Sequence, residues 1–215
     1  RAPEKPGPRN INLLFYGPPG TGKSELARYI AKRLDREIIC KRASDILDPY
    51  VGMTERRIGE SFDEAEREEA ILVIDEADSM LFSRDRAIRS WEVSFTNEFL
   101  TRMERYRGIL ICTTNRLSGL DAASIRRFNH KIGFNYLTPE GSMCFYDRLL
   151  GNLISDTVSA EILDALKGIS NLTPGDFRIV RDKYSFIPEH QRSHEALLLA
   201  LQAEANMKTE RVNKN

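Results

Sequence analysis

One short stretch, GPPGTGKS at residues 17–24, constrains the fold of this chain more than any other part of its sequence. It has the spacing G-x-x-x-x-G-K-S/T, follows an apolar run at residues 13–16, and precedes apolar residues at helical spacing, Leu26, Ile30 and Leu34. The pattern predicts a strand, a glycine-rich turn and a helix. Such a turn directs its backbone N–H groups toward one point, beside the positive end of the helix dipole. The sequence therefore predicts a phosphate-binding loop.

The residues of this loop have distinct expected roles. We expect Lys23 to reach the β- and γ-phosphates of ATP and Ser24 to offer its hydroxyl to Mg²⁺. Glycine lets the backbone curl closely around the phosphates. The alternative is an ordinary Gly-Pro turn that caps a helix. The predicted nucleotide-contacting residues of this segment are Gly17, Pro18, Pro19, Gly20, Thr21, Gly22, Lys23, Ser24 and Glu25.

A second apolar run, residues 71–74, ends in two acids, Asp75 and Glu76. It is typical of a strand buried on both faces of a parallel sheet. An acid at the carboxyl end of such a strand faces the phosphate loop, so Asp75 is predicted to hold the Mg²⁺ shell and Glu76 to orient and deprotonate a water. An acid next to the metal ligand favours hydrolysis over transfer to a second substrate. A solvated strand end is the alternative interpretation.

Short apolar runs alternate with helical patterns over the first part of the chain. Further strands are predicted at residues 37–41, 109–113 and 131–134, which indicates an α/β fold, a parallel sheet of about five strands covered by helices. After residue 138 only helical patterns remain. The predicted organisation is a linker at 1–12, an α/β nucleotide-binding domain at 13–138 and a small helical lid domain at 139–215.

Composition narrows the function classes. Thirty-two Lys and Arg residues against 32 Asp and Glu leave no net charge, which does not favour nucleic acid as a partner. No apolar run approaches the roughly 20 residues that span a bilayer, so no membrane association is predicted. The three cysteines lack metal-ligand spacing and are expected to be reduced core residues. Together with the absence of a leader pattern, they predict a cytoplasmic location.

The order of the motifs resembles that of AAA+ ATPases, specifically the AAA type proper. The resemblance rests on the phosphate loop, on IDEAD at residues 74–78, on TTN at 113–115 and on LDAASIRRF at 120–128, and it extends over about residues 13–182. It implies that Asn115 is the sensor 1 residue, which holds the attacking water or the γ-phosphate together with Glu76. From its position alone, the alternative interpretation of Asn115 is an ordinary polar residue at the end of a strand.

Arg126 and Arg127 stand where members of this family carry arginine fingers. A guanidinium is always charged and can stabilise the charge that spreads over the γ-phosphoryl group. The resemblance implies that a finger reaches into the neighbouring subunit's site, so the active form is a homo-oligomeric ring, generally of six subunits. Which of the two arginines is the finger stays open; one could instead pair with an acid, or both could be solvated surface residues.

Tyr50, Val51 and Gly52 resemble the pore loop of family members that thread proteins. An exposed aromatic ring on a loop hinged by glycine can grip an extended polypeptide by apolar contact. The alternative is a turn with one packed aromatic side chain. The arginine-rich segment at residues 83–91 is interpreted as a second pore loop or as a solvated face.

Gly175 and Asp176 occupy the position where relatives place sensor 2, and the resemblance assigns them to the nucleotide site. A helix N-terminus, with Asp176 as its capping acid, explains the same residues structurally. The predicted function is ATP hydrolysis with Mg²⁺, coupled to remodelling, unfolding or threading of protein substrates. The alternative is an ATP-dependent nucleotide switch or a loading factor without pore threading, for which we would expect a basic groove and no gripping aromatic residue.

Overall fold

The computed structural model describes residues 10–50, 52–81 and 90–212, except the side chains of 90–92 and 209–212. Within these residues, five parallel strands form one sheet in the order β2-β3-β4-β1-β5. The α/β fold class is thereby confirmed. The strands are β1 Ile11–Tyr16, β2 Ile38–Arg42, β3 Ile71–Asp75, β4 Ile109–Thr114 and β5 His130–Gly133.

The helices of the described chain follow the strands in two groups. Those that alternate with the strands are α1 Lys23–Arg33, α2 Ala43–Ile46, α3 Met53–Arg67, α4 Ser90–Arg105 and α5 Ala122–Arg126. Those that follow the last strand are α6 Pro139–Leu149, α7 Ala160–Lys167, α8 Pro174–Ser185 and α9 His194–Val212. Short 3-10 helices lie at Ala77–Met80, Gly151–Leu153 and Glu189–Gln191.

The described residues divide into two compact units. The first contains the described residues up to Gly17 and those from Lys23 to Phe134; the second contains Pro18–Gly22 and the described residues from Asn135 onward. Five residues of the phosphate loop thus group with the helical part because they contact it. The domain limits 13–138 and 139–215 stay a prediction.

The core of the first unit lies on both faces of the sheet, and strand β3 connects its two halves. Its four apolar residues, 71–74, are at most 1% exposed. Alternate residues point to opposite faces: Ile71 and Val73 belong to the apolar cluster that includes α1, whereas Leu72 and Ile74 belong to the cluster of α3 and α4. A strand that is buried on both faces is held in one register, and its terminal acids are therefore positioned reproducibly.

The helices of the second unit surround their own apolar core, and polar caps define their starts. Thr138 accepts a hydrogen bond from the backbone N–H of Gly141 at the start of α6, and Ser159 accepts one from Ile162 at the start of α7. These bonds satisfy N–H groups that a helix leaves unpaired. The buried apolar residues of this unit include Tyr146, Leu150, Leu166, Leu172, Phe177, Val180, Leu197, Leu201 and Ala205.

The expectation that all three cysteines are core residues is wrong for two of them. Cys112 is fully buried in β4, but Cys40 and Cys144 are exposed. Strand β2 lies at the edge of the sheet, where alternate side chains face solvent, and Cys144 lies on the outer side of α6. Only Cys112, whose thiol pKa is raised by burial, behaves as a small apolar core residue.

Because β3 is buried, shortening one of its side chains should lower the stability of the protein. Leu72→Ala should lower the free energy of unfolding by about 2–5 kcal/mol, because it leaves a cavity beside closely packed neighbours. Leu34→Ala is the matched control: Leu34 is 51% exposed, and the expected change is within about 0.5 kcal/mol. Urea unfolding followed by circular dichroism measures both. Equal losses in the two variants would contradict the assigned core.

Candidate active site

The phosphate loop begins with a close approach between two backbone segments. Gly17, directly after β1, has φ of 142°, and a Cβ atom there would lie 2.0 Å from the carbonyl oxygen of Phe134. Its N–H donates to the carbonyl oxygen of Thr114 at 3.2 Å. Gly20 and Gly22 also have positive φ, at 78° and 98°. The loop thus needs glycine at Gly17 and Gly22, which the motif specifies, and also at Gly20, which it does not.

Lys23, the first residue of α1, is 7% exposed, and its ammonium group lies at the carboxyl edge of the sheet. Nζ donates to the carbonyl oxygen of Gly17 at 2.7 Å and to Oδ1 of Asn115 at 2.9 Å. Burial lowers the pKa of Lys23, and the nearby charges of Asp75 and Asp78 offset part of that effect. The structure therefore brings together Lys23 and Asn115, which are far apart in the sequence.

Ser24 and Asp75 lie side by side in the first unit. The Ser24 hydroxyl is 3.4 Å from both carboxylate oxygens of Asp75. A hydroxyl and a carboxylate are ligands that suit Mg²⁺, which usually takes one or two carboxylates and completes its shell with phosphate oxygens and water. In the described residues, no group of three or more His, Cys, Asp or Glu could hold a metal. The Ser24–Asp75 pair fits an ion that arrives with a triphosphate.

Glu76 leaves the strand at a sharp change of direction. Its backbone has φ of 57° and ψ of 44°, the left-handed region, which few residues other than glycine adopt. The Glu76 N–H donates to the Thr113 hydroxyl at 3.2 Å, and the residue is exposed. Its carboxylate has no hydrogen-bond partner among the described residues. An exposed carboxylate at this point is available to a water molecule.

Asn115 directly follows β4, in a turn that the preceding residue stabilises. The Thr114 hydroxyl donates to the carbonyl oxygen of Arg116 at 2.9 Å and accepts from the Arg116 N–H at 3.0 Å. Thr113 also has a buried hydroxyl, which donates to Oδ1 of Asp75. Sequence reasoning assigned no role to either threonine. The signal was present, because both are polar residues in an otherwise apolar strand.

The two arginines at the end of α5, its last residue Arg126 and its C-cap Arg127, have different surroundings. Arg127 pairs with Glu104 and donates from Nη1 to the carbonyl oxygen of Ala123 at 2.9 Å. Arg126 is exposed, and its guanidinium makes no hydrogen bond or ion pair with any residue that the structure describes. The guanidinium that is available to another molecule is therefore that of Arg126.

Tyr50 projects from the segment before α3. Its side chain is 75% exposed, so it is not packed into the core. The Tyr50 N–H donates to Oδ1 of Asp48 at 2.9 Å, and Gly52, with φ of 81°, is the N-cap of α3. Val51 lies outside the described residues. The second pore-loop segment, 83–91, also falls there, apart from the backbone of residues 90 and 91.

In the second unit, the start of α8 contacts the phosphate loop. The Gly175 N–H donates to the carbonyl oxygen of Gly20 at 2.9 Å, and a Cβ atom at Gly175 would lie 3.0 Å from the Gly20 Cα atom. Asp176 is 4% exposed and serves as the capping acid. Its Oδ2 atom accepts from the Thr173 N–H at 2.7 Å and also pairs with Lys208, a partner that sequence reasoning missed. Asp176 thus holds the helix start, and Gly175 makes the contact.

A parallel sheet whose first strand leads through this loop into a helix, with an acid at the end of another buried strand, defines a P-loop ATPase. The family model described as the ATPase family associated with various cellular activities (AAA) matches residues 13–136, more than half of the chain. The chain belongs to this family, as its motifs predicted, and its enzyme class is that of ATP hydrolases.

Several named proteins are similar to this chain. Vacuolar protein sorting-associated protein 4 of Dictyostelium discoideum is 31% identical over 169 residues, which are 76% of this chain and 37% of that protein. Spastin of Drosophila persimilis is 31% identical over 183 residues, 81% of this chain and 22% of that protein. The cell division cycle protein 48 homolog of Archaeoglobus fulgidus is 35% identical over 136 residues, 60% of this chain and 19% of that protein. The chain spans well under half the length of these relatives.

A solved structure, that of the E. coli MS115-1 HORMA:CdnC:Trip13 complex, contains a chain with the same fold. The TM-score is 0.73 at 20% sequence identity, and the match covers 91% of this chain and 74% of that one. At this identity the likeness concerns the fold alone. None of the helices that the structure describes is long and apolar enough to cross a bilayer.

Proposed function

We propose that the chain hydrolyses ATP with Mg²⁺ as one subunit of a homo-oligomeric ring, generally of six, and uses the hydrolysis to remodel, unfold or thread a protein substrate. The observation that carries the proposal is the convergence of Lys23, Ser24, Asp75 and Asn115 at one edge of the sheet, with Glu76 exposed beside them. These are the groups that ATP hydrolysis needs.

Each group has a role that its surroundings support. Lys23 stabilises the negative charge of the β- and γ-phosphates, and its low exposure strengthens that interaction. Ser24 and Asp75 would hold Mg²⁺, which would supply positive charge that offsets the charge of the phosphate oxygens. Glu76 orients a water for attack on the γ-phosphorus and takes up its proton. Asn115, already within hydrogen-bond distance of Lys23, positions the water or the γ-phosphate.

Glu76→Gln separates binding from chemistry. The amide has nearly the shape of the acid but cannot take up a proton, so ATP affinity should persist while turnover falls by about 10²–10⁴-fold. Phosphate release measures turnover, and a fluorescent ATP analogue measures affinity. Glu69→Gln is the matched control, because Glu69 is also exposed and also has a positive φ, 50°. Near-normal turnover in Glu76→Gln would exclude Glu76 as the base.

The surroundings of the two arginines favour Arg126 as the finger. Arg127 is paired within its own chain, whereas Arg126 is exposed and unpaired among the described residues. A guanidinium supplied to a neighbouring site contributes about 10³–10⁵-fold to turnover. We therefore expect Arg126 to complete the site of the next subunit, and Arg127 to connect α5 with α4 through Glu104.

A mixing experiment tests whether the arginine acts between subunits. Arg126→Ala and Glu76→Gln proteins should each be inactive alone, because one lacks the finger and the other the base. A site in a mixed ring is intact when its own subunit has Glu76 and the neighbouring subunit has Arg126. With random mixing of equal amounts, about a quarter of the sites meet both conditions, so about a quarter of the parent activity should return. Arg127→Ala mixed with Glu76→Gln is the control. Absence of any recovery would argue against a shared site.

The proposal of a polypeptide substrate rests on Tyr50. Its ring is 75% exposed and therefore is not part of the core that the structure describes. Zero net charge does not favour a nucleic-acid partner, as a loading factor would require. If Tyr50 did not bind a polypeptide, the nucleotide switch would be the better-supported function.

Stimulation of the ATPase by an unfolded protein tests this substrate class. Casein should stimulate phosphate release by the parent protein and by Tyr50→Phe, which keeps the aromatic ring, but not by Tyr50→Ala. Coupled phosphate-release assays over a casein titration measure the effect. If Tyr50→Ala responds to casein like the parent protein, Tyr50 does not grip substrate; if no variant responds, the switch is favoured.

A cytoplasmic location is part of the same proposal. Cys40 and Cys144 are exposed and form no disulfide. Unbridged exposed thiols are typical of proteins in a reducing compartment.

A further inference from the structure

The ladder between β3 and β4 ends one residue before the acids. Its paired residues are Leu72 with Leu110, Val73 with Ile111 and Ile74 with Cys112. The next position would pair Asp75 with Thr113. At this position the two strands are joined by a side chain instead of backbone hydrogen bonds. The Thr113 hydroxyl forms hydrogen bonds with both Asp75 and Glu76.

The Thr113 hydroxyl has the right capacity for this double contact. It has one hydrogen and two lone pairs. The hydrogen is donated to Oδ1 of Asp75, and a lone pair accepts the Glu76 N–H at 3.2 Å. Thr113 is 1% exposed, so water does not compete effectively for either bond. A single buried oxygen atom thus connects the proposed metal ligand with the proposed base.

The backbone of Glu76 explains why such a connection matters. Its left-handed conformation, φ of 57° and ψ of 44°, is unfavourable for a residue with a Cβ atom and persists only when its surroundings hold it. The bond from the Glu76 N–H to Thr113 is a restraint of this kind. The conformation in turn sets the point from which the Glu76 side chain leaves the sheet.

Asp75 is restrained in the same way. Both of its carboxylate oxygens lie 3.4 Å from the Ser24 hydroxyl oxygen, and Thr113 donates a hydrogen bond to one of them. A carboxylate that is hydrogen-bonded by a neighbour keeps one orientation toward a bound ion. The Ser24–Asp75 pair therefore depends on Thr113 for its geometry.

We propose that Thr113 is a positioning residue for hydrolysis, which holds the metal-binding carboxylate of Asp75 and the backbone of Glu76 in one arrangement through its hydroxyl. This inference rests on the ATPase function proposed above. The hydroxyl touches neither substrate nor reacting atoms; it acts through the two acids. Its loss should change metal affinity and turnover while leaving the phosphate loop's own contacts in place.

Substitution at residue 113 can separate the hydroxyl from the side chain's bulk. Thr113→Val keeps the branched shape and removes both hydrogen bonds, whereas Thr113→Ser keeps the hydroxyl. Thr96→Val is the matched control, because Thr96 is also buried, at 5% exposure, and donates its hydroxyl to the carbonyl oxygen of Met80. Thr113→Ala provides a second hydroxyl-free variant if Thr113→Val does not fold.

Three measurements on the full chain test the proposal. Mn²⁺ affinity in the presence of ADP, from electron paramagnetic resonance, and kcat at saturating Mg²⁺ and ATP should each fall by about 10–100-fold in Thr113→Val. ATP affinity in EDTA should match that of the parent protein. Thr113→Ser should recover most of both losses, and Thr96→Val should show neither.

Two results would overturn the proposal. If a hydroxyl-free variant has the Mn²⁺ affinity and kcat of the parent protein, Thr113 has no positioning role, and its hydroxyl is only a buried polar group that is hydrogen-bonded. Losses in Thr113→Ser as large as those in Thr113→Val would assign the effect to packing. If the parent protein itself does not hydrolyse ATP, the proposed function fails, and the Mn²⁺ measurement still decides whether Thr113 orients Asp75.

Discussion

Parallel pairing of β1, β4 and β3 is the constraint on which the candidate site depends. Register places Tyr16 opposite Thr114 and Ile74 opposite Cys112, so the carboxyl ends of the three strands meet at one edge of the sheet. Backbone polar groups of a buried parallel strand have no partner except the adjacent strand, and slippage by one residue would move each side chain of β3 from one apolar cluster into the other, where it does not fit. The positions of Asp75 and Asn115 therefore follow from the core.

A buried ammonium group makes this edge chemically distinctive. Removal of Lys23 from water is unfavourable, and the carbonyl oxygen of Gly17 and the amide oxygen of Asn115 compensate through hydrogen bonds. Asp75 and Asp78 contribute opposite charge at longer range. A cation held in this way has a fixed position, so a triphosphate meets a preorganised partner and little reorganisation is needed.

Much of the fold, but less of the site, was predictable from the sequence. The α/β class, the family and the enzyme class are confirmed, because they depend on local patterns: short continuous apolar runs, the glycine spacing and the acids after residue 74. Ion pairs between residues distant in sequence were not predictable. Glu104 with Arg127 and Asp176 with Lys208 are separated by 23 and 32 residues, and no periodicity indicates which surface acid meets which base. The exposed positions of Cys40 and Cys144 likewise depend on which strand is at the edge and which side of a helix faces outward.

In the proposed mechanism, this site directs water onto the γ-phosphorus of ATP. Hydrolysis in water enriched in oxygen-18, followed by mass spectrometry of the products, tests this mechanism most directly. Released inorganic phosphate should carry solvent oxygen after a single turnover, and ADP should carry none. Label in ADP, or release of pyrophosphate instead of phosphate, would contradict the assigned chemistry.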